Sequence, residues 1–111
     1  MNTLLWLDDI RDPMEGDWLI FSPIEEPYDV YWVKSHKEFI EWIEFNGLPK
    51  AICFDHDLGD DMEYTGYDCA KWLVEYCMDN DLQLPKWNVQ SANPVGKDNI
   101  NGLLNNFKKR K

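Results

Sequence analysis

The chain has 111 residues, with 11 basic against 21 acidic side chains and a formal net charge of −10. That length suits one domain spanning residues 1–111 around a single core, and 44% apolar residues with 14% aromatics exclude a disordered, highly charged coil. Residues 1–85 carry 5 basic and 20 acidic side chains while residues 86–111 carry 6 basic and 1 acidic, so the acidic body excludes non-specific binding of duplex DNA, which needs Lys and Arg to replace counterions.

Residues 3–7, Thr-Leu-Leu-Trp-Leu, form a continuous apolar run that stops at Asp8-Asp9. A short run bounded by charge predicts a strand buried on both faces. Pro13 and Gly16 mark a loop. Trp18 to Phe21 reads as a short strand, although Pro23 and Pro27 interrupt the pattern just beyond it. Asp29 to Val33 is a second core strand. Ser35 with Glu38 three residues on is a capping-box pattern, which opens a helix through about Asn46 with Phe39, Ile40 and Ile43 inward. Gly47 and Pro49 end it.

Ala51 to Phe54 is a third buried strand, ending at Asp55. A loop from His56 to Tyr64 holds Asp60, Asp61 and Glu63 as solvated acids. Its spacing fails as a calcium loop, because the positions that need an acid, a Gly and a Glu hold Gly59, Asp60 and Gly66. Thr65 with Asp68 caps the next helix, whose apolar positions Cys69, Trp72, Leu73, Tyr76 and Cys77 keep helical spacing. Trp87 to Ser91 is a fourth strand. Asn93-Pro94 starts a last helix with Ile100, Leu103, Leu104 and Phe107 on one face. Three cysteines without paired spacing read as reduced core residues. No signal peptide or membrane-length apolar stretch is present, so a soluble, cytoplasmic protein is expected.

Strands alternating with helices predict an α/β fold with a mostly parallel sheet in three layers. Ligands of such sheets bind beyond the carboxyl ends of the strands. Those ends carry Asp8-Asp9, Asp55 and Ser91. Three gathered carboxylates need a counter-ion, and a hard cation, Mg²⁺ or Mn²⁺, is the expected cofactor. Asp57 would add a carboxylate or a backbone carbonyl. The competing reading is a set of strand-end acids facing water. His56, between two acids, is a candidate general acid. Its alternative is a loop residue that orders the turn. Ser91 and Asn93 stand where a strand meets a helix N-terminus, which suits a phosphate, although Asn93 also reads as a simple cap. Arg11 either grips a phosphate or pairs with Asp9 or Asp12.

Four segments carry a resemblance: Leu7-Asp8-Asp9-Ile10-Arg11-Asp12-Pro13, Phe54-Asp55-His56-Asp57-Leu58-Gly59, Thr65-Gly66-Tyr67-Asp68 and Gln90-Ser91-Ala92-Asn93-Pro94-Val95-Gly96. Together they resemble the cyclic-phosphate processing receiver-like family, a divergent branch of response-regulator receiver domains. The resemblance implies a flavodoxin-like receiver fold, but only one helix follows Ser91, so the fold is truncated, without the fifth strand of ordinary receivers and its Lys; Lys97 either substitutes for that Lys to bind phosphate or is a solvated helix residue. It implies a metal site at Asp8, Asp9 and Asp55, with Asp55 and His56 as the catalytic pair. Gln90 stands where the family pattern has a His; it can hold a phosphate oxygen but cannot shuttle protons.

The function this implies is metal-dependent processing, by hydrolysis, or binding of a cyclic phosphate on RNA ends or nucleotides. The expected partner is thus a phosphate-bearing small molecule or an RNA end, and whether the chain is an enzyme stays open. Two other readings remain: a receiver-like signalling module phosphorylated on Asp55, and a non-catalytic acidic protein that meets a basic protein surface as a nucleic-acid mimic.

Overall fold

The computed structural model describes residues 2–59 and 64–110. The loop acids Asp60, Asp61 and Glu63 lie outside the described residues. Four strands form one parallel sheet: β1 (Thr3–Leu7), β2 (Asp29–Val33), β3 (Ala51–Phe54) and β4 (Lys86–Val89), in the order β2-β1-β3-β4. Three helices follow β2, β3 and β4: α1 (His36–Asn46), α2 (Gly66–Asp79) and α3 (Pro94–Arg110). This is the flavodoxin-like order cut short after the fourth strand.

The apolar runs become the central strands because both faces of the sheet are covered. Successive side chains of a strand point to opposite faces. Leu5, Leu7, Ile52 and Phe54 pack on one face with Phe39 and Ile43 of α1, Cys69, Leu73 and Cys77 of α2, and Ile100 and Leu104 of α3. Leu4, Trp6, Ala51 and Cys53 pack on the other. No α-helix covers that second face among the described residues. The long β1–β2 connection does so instead, through Trp18, Leu19, Phe21, Ile24 and Tyr28.

Between β1 and β2 the short strand expected from the sequence does not form. Trp18–Phe21 is a short 3-10 helix and not a strand. β1 already has a neighbour on each side, so these residues close their own turn, with Ile20 N donating to Asp17 O and Ser22 N to Leu19 O, both at 3.1 Å. Their carbonyl end is tied to the sheet, where Asn88 Nδ2 donates to Phe21 O at 2.8 Å.

The helix boundaries follow their caps. Ser35 Oγ accepts from Glu38 N at 3.1 Å, while the Glu38 carboxylate takes Lys34 N. Gly47, at φ 84, closes α1 through its N–H to Ile43 O. Asp68 accepts from both the backbone N–H and the hydroxyl of Thr65, fixing the start of α2. Strand β4 ends at Val89, so Ser91 lies in the short link to α3. Cys53, Cys69 and Cys77 are buried thiols, and burial pushes the Cys53 thiol up to about 12. Among the described residues no helix is long and apolar enough to cross a membrane.

Candidate metal centre

The chain leaves β1 toward β2 on one side and returns to β3 on the other. That reversal opens a crevice at the carboxyl ends of β1 and β3, where Asp8-Asp9 and Asp55 emerge. One carboxylate oxygen from each of Asp8, Asp9 and Asp55 lies within 4.8 Å of the other two. Asp8 is fully buried, Asp55 is 6% exposed and Asp9 is half-buried.

Asp8 is held on every side. Its N–H donates to Val33 O, and its carbonyl accepts from the Trp32 indole at 2.7 Å. Its Oδ1 takes the backbone N–H groups of Ile10 and Arg11, which folds the turn after β1. Its Oδ2 faces Arg11 Nη1 at 3.5 Å. The same Nη1 stands 4.0 Å from Asp55 Oδ1 and donates to Gln90 O at 3.1 Å. Arg11 thus pairs with Asp8 and Asp55; of the two readings offered for it, a phosphate grip or a pair with Asp9 or Asp12, the second has the wrong acids. The Trp6 indole fixes its carbonyl and Trp18 lies under its guanidinium.

The cluster is short of positive charge. Burial, then the charge of Asp8, pushes the Asp55 carboxyl up to about 7; Arg11 offsets part of this, and Asp9 and Asp57 add to it. Buried hard oxygens with excess negative charge are the donor set that a small divalent cation takes. Asp8, Asp9 and Asp55 would hold such an ion.

The Asp57 carboxylate is placed differently. It is exposed, and its Oδ1 lies 2.9 Å from His56 Nδ1. Hydrogen bonds from His56 first, and from Asn93, hold it below the usual carboxylate range. An ionised carboxylate only accepts, so His56 Nδ1 carries the hydrogen and Nε2 is left for chemistry. The imidazole lies against the first turn of α3, where a Cβ on Gly96 would collide with its ring. Likewise a Cβ on Gly66 would collide with the Asp55 carbonyl, and one on Gly59 with the Asp9 carboxylate. Three glycines therefore let backbone close tightly around the acids and the histidine.

Of the expected phosphate wall, Asn93 Oδ1 is spent on capping α3 through Gly96 N at 3.0 Å. Ser91 Oγ accepts from Asn93 N, which leaves its hydroxyl hydrogen to donate. Lys97 sits half-buried in the first turn of α3, its N–H bonded to Asn93 O. Gln90 is 4% exposed, and its Nε2 donates to Leu7 O at 3.0 Å. The sequence held no signal for that cross-strand link, nor for the indoles that hold Asp8 and Arg11. A separate cleft, of 360 Å³, lies at the opposite end of β4 between Leu84, Trp87 and Phe107; it contains none of these groups.

Residues 3–106 match the family model of the cyclic-phosphate processing receiver domain. The chain belongs to this family. No curated protein matches the sequence. Among solved structures, a chimera that carries a trimeric coiled-coil segment of yeast Spc42 aligns with a TM-score of 0.63 at 17% identity. The alignment covers 92% of this receiver domain and 63% of that chain. At that identity the likeness bears on the fold alone. The family match agrees with the four-stranded parallel sheet.

Proposed function

We propose that this receiver domain binds Mg²⁺ or Mn²⁺ on Asp8, Asp9 and Asp55 and hydrolyses a cyclic phosphate on an RNA end or a nucleotide. The observation that carries this reading is the convergence of three carboxylates, two buried and one half-buried, on one small volume, with Arg11 as their partial counter-charge. A bound ion would polarise the phosphate and favour attack by water.

The protein's own groups divide the remaining work. The Ser91 hydroxyl donates to a phosphate oxygen. Gln90 and Lys97 flank the same strand-to-helix link. Asp57 holds the His56 ring so that Nε2 meets the leaving oxygen. When water opens the ring, its oxygen bonds to phosphorus as the P–O bond to the leaving oxygen breaks; the freed oxygen takes a proton from His56, and the proton that the water gives up restores the imidazole. Asn93 holds the first turn of α3 and Asp57 in place.

The test is turnover of a panel of 2′,3′-cyclic phosphates, mononucleotide and RNA-terminal, with Mg²⁺ or Mn²⁺. Turnover that vanishes with chelator and with Asp55→Asn is the expected result. A panel untouched under both metals defeats hydrolysis. A second reading draws on the position of Asp55 beside Asp8, Asp9 and Arg11: acceptance of a phosphoryl group by its carboxylate. Intact mass after acetyl phosphate treatment separates the two, since only the acceptor gains a stable adduct.

A further inference from the structure

Strand register places a third polar residue in line with Asp8 and Asp55. Leu7 pairs with Phe54, and Phe54 with Val89. The ladder continues one residue further, with Asp55 N donating to Leu7 O and Gln90 N to Phe54 O. Asp8, Asp55 and Gln90 therefore form one row across three neighbouring strand ends, and alternation sends their side chains to the same face. A single atom, Arg11 Nη1, lies within 4.0 Å of an oxygen of each.

Gln90 is buried in that row, and one half of its amide is satisfied. Leu7 O is an acceptor, so the group facing it must be Nε2, which fixes the amide orientation. Oε1 is then the other amide atom, buried and without a hydrogen-bond partner among the described residues. Buried acceptors left without a donor are costly and rare in native proteins. The neighbouring carboxylates are acceptors when ionised and cannot satisfy it. A donor brought in with a ligand can. A water molecule in the shell of a hard divalent cation is such a donor, and Mg²⁺ keeps several of them.

We infer that Gln90 Oε1 accepts a hydrogen bond from a water bound to the divalent cation at Asp8, Asp9 and Asp55, so that Gln90 is a positioning residue for cation binding. This rests on the metal-binding reading above and goes beyond it by giving the neutral side chain in the row a defined task. An amide oxygen at this place adds an acceptor without adding charge to a cluster that already has too much of it. Outer partners of this type contribute about 10- to 100-fold to metal affinity.

The experiment is calorimetric titration of the full chain with Mg²⁺ alone and Mn²⁺ alone, alongside thermal melts in chelator. Gln90→Met, which keeps the length and removes the acceptor, is expected to weaken both metals by about 10- to 100-fold. Its chelated melt should fall, because the donor to Leu7 O is lost along with the acceptor. Gln90→Glu keeps an acceptor at Oε1, loses the donor to Leu7 O and adds charge. It is expected to bind both metals at least as tightly as the wild type while melting lower in chelator. If Gln90 served only to tie β4 to β1, the two variants would shift affinity in the same direction or leave it unchanged, and either result overturns the inference. Wild-type protein that binds neither metal overturns the metal-binding reading along with it. Wild-type binding with an unaltered Gln90→Met overturns this inference alone.

Discussion

Arg11 Nη1 stands 4.0 Å from Asp55 Oδ1, and that one cationic contact offsets only part of what burial and Asp8 do to the Asp55 carboxyl. The outcome, a carboxyl pushed up from 3.8 to about 7, has a thermodynamic sign. An acid with a folded pKa above its unfolded one holds its proton more tightly when folded. The folded state therefore loses stability as pH rises from 3.8 toward about 7, and the whole penalty is present above that. Its ceiling is roughly 4 kcal/mol. Asp55→Asn removes the titrating group. In chelator at pH 8, the variant should melt several degrees above the wild type, and the gap should close near pH 4. Added Mg²⁺ should raise the wild-type melt and leave the variant unmoved. Melts that run parallel from pH 4 to 8 would show that the cluster carries no such strain.

A second prediction comes from two glycines that differ in what lies against them. A Cβ on Gly66 meets the Asp55 carbonyl, which is backbone at the end of β3; a Cβ on Gly96 meets the His56 ring, which is a side chain. Backbone at a sheet end has nowhere to go, whereas a ring can turn. Gly66→Ala should cost about 2–3 kcal/mol in urea unfolding, the scale of overpacking a tight site. Gly96→Ala should cost less than about 1.5 kcal/mol but should move the His56 ring resonances and lower turnover. Equal destabilisation by the two substitutions would refute this ranking.

The parts of the fold that the sequence revealed are those where one physical cause acts alone. Continuous apolar runs at residues 3–7 and 51–54 read as central strands because the sheet is covered on both faces. Asp8, Asp9 and Asp55 read as a site because charge directly after a buried strand has only the sheet edge to occupy. The residues from Trp18 to Phe21 misled because four apolar residues are too few for a period to decide between strand and turn. Their state depends on the turn they close and on the tie of Phe21 O to β4. Arg11 reaches Asp55 and the Gln90 carbonyl as well as Asp8 because the ends of β3 and β4, distant in sequence, arrive beside its guanidinium, and no local pattern encodes that. The carboxylate of Asp57 turned to His56 and Asn93 for a similar reason, the arrival of the α3 N-terminus beside the loop.

The last prediction concerns the His56–Asp57 pair. Their 2.9 Å contact, with Asp57 also bonded by Asn93, holds the imidazole from one side and Gly96 backs its ring. If His56 Nε2 protonates the leaving oxygen, His56→Ala should reduce the turnover number by about 10²- to 10⁴-fold, the usual share of a general acid. Asp57→Asn should reduce it less, because an amide oxygen still accepts from Nδ1–H and keeps the ring in place, while losing the carboxylate's support for imidazolium. Neither substitution touches the three clustered carboxylates, so calorimetric affinity for Mn²⁺ should remain near that of the wild type. A substrate with a good leaving group, such as a nitrophenyl phosphodiester, should restore most of the rate of His56→Ala, because its leaving oxygen needs no proton. A variant equally impaired on both substrates would remove His56 from the acid role and leave it as a loop anchor.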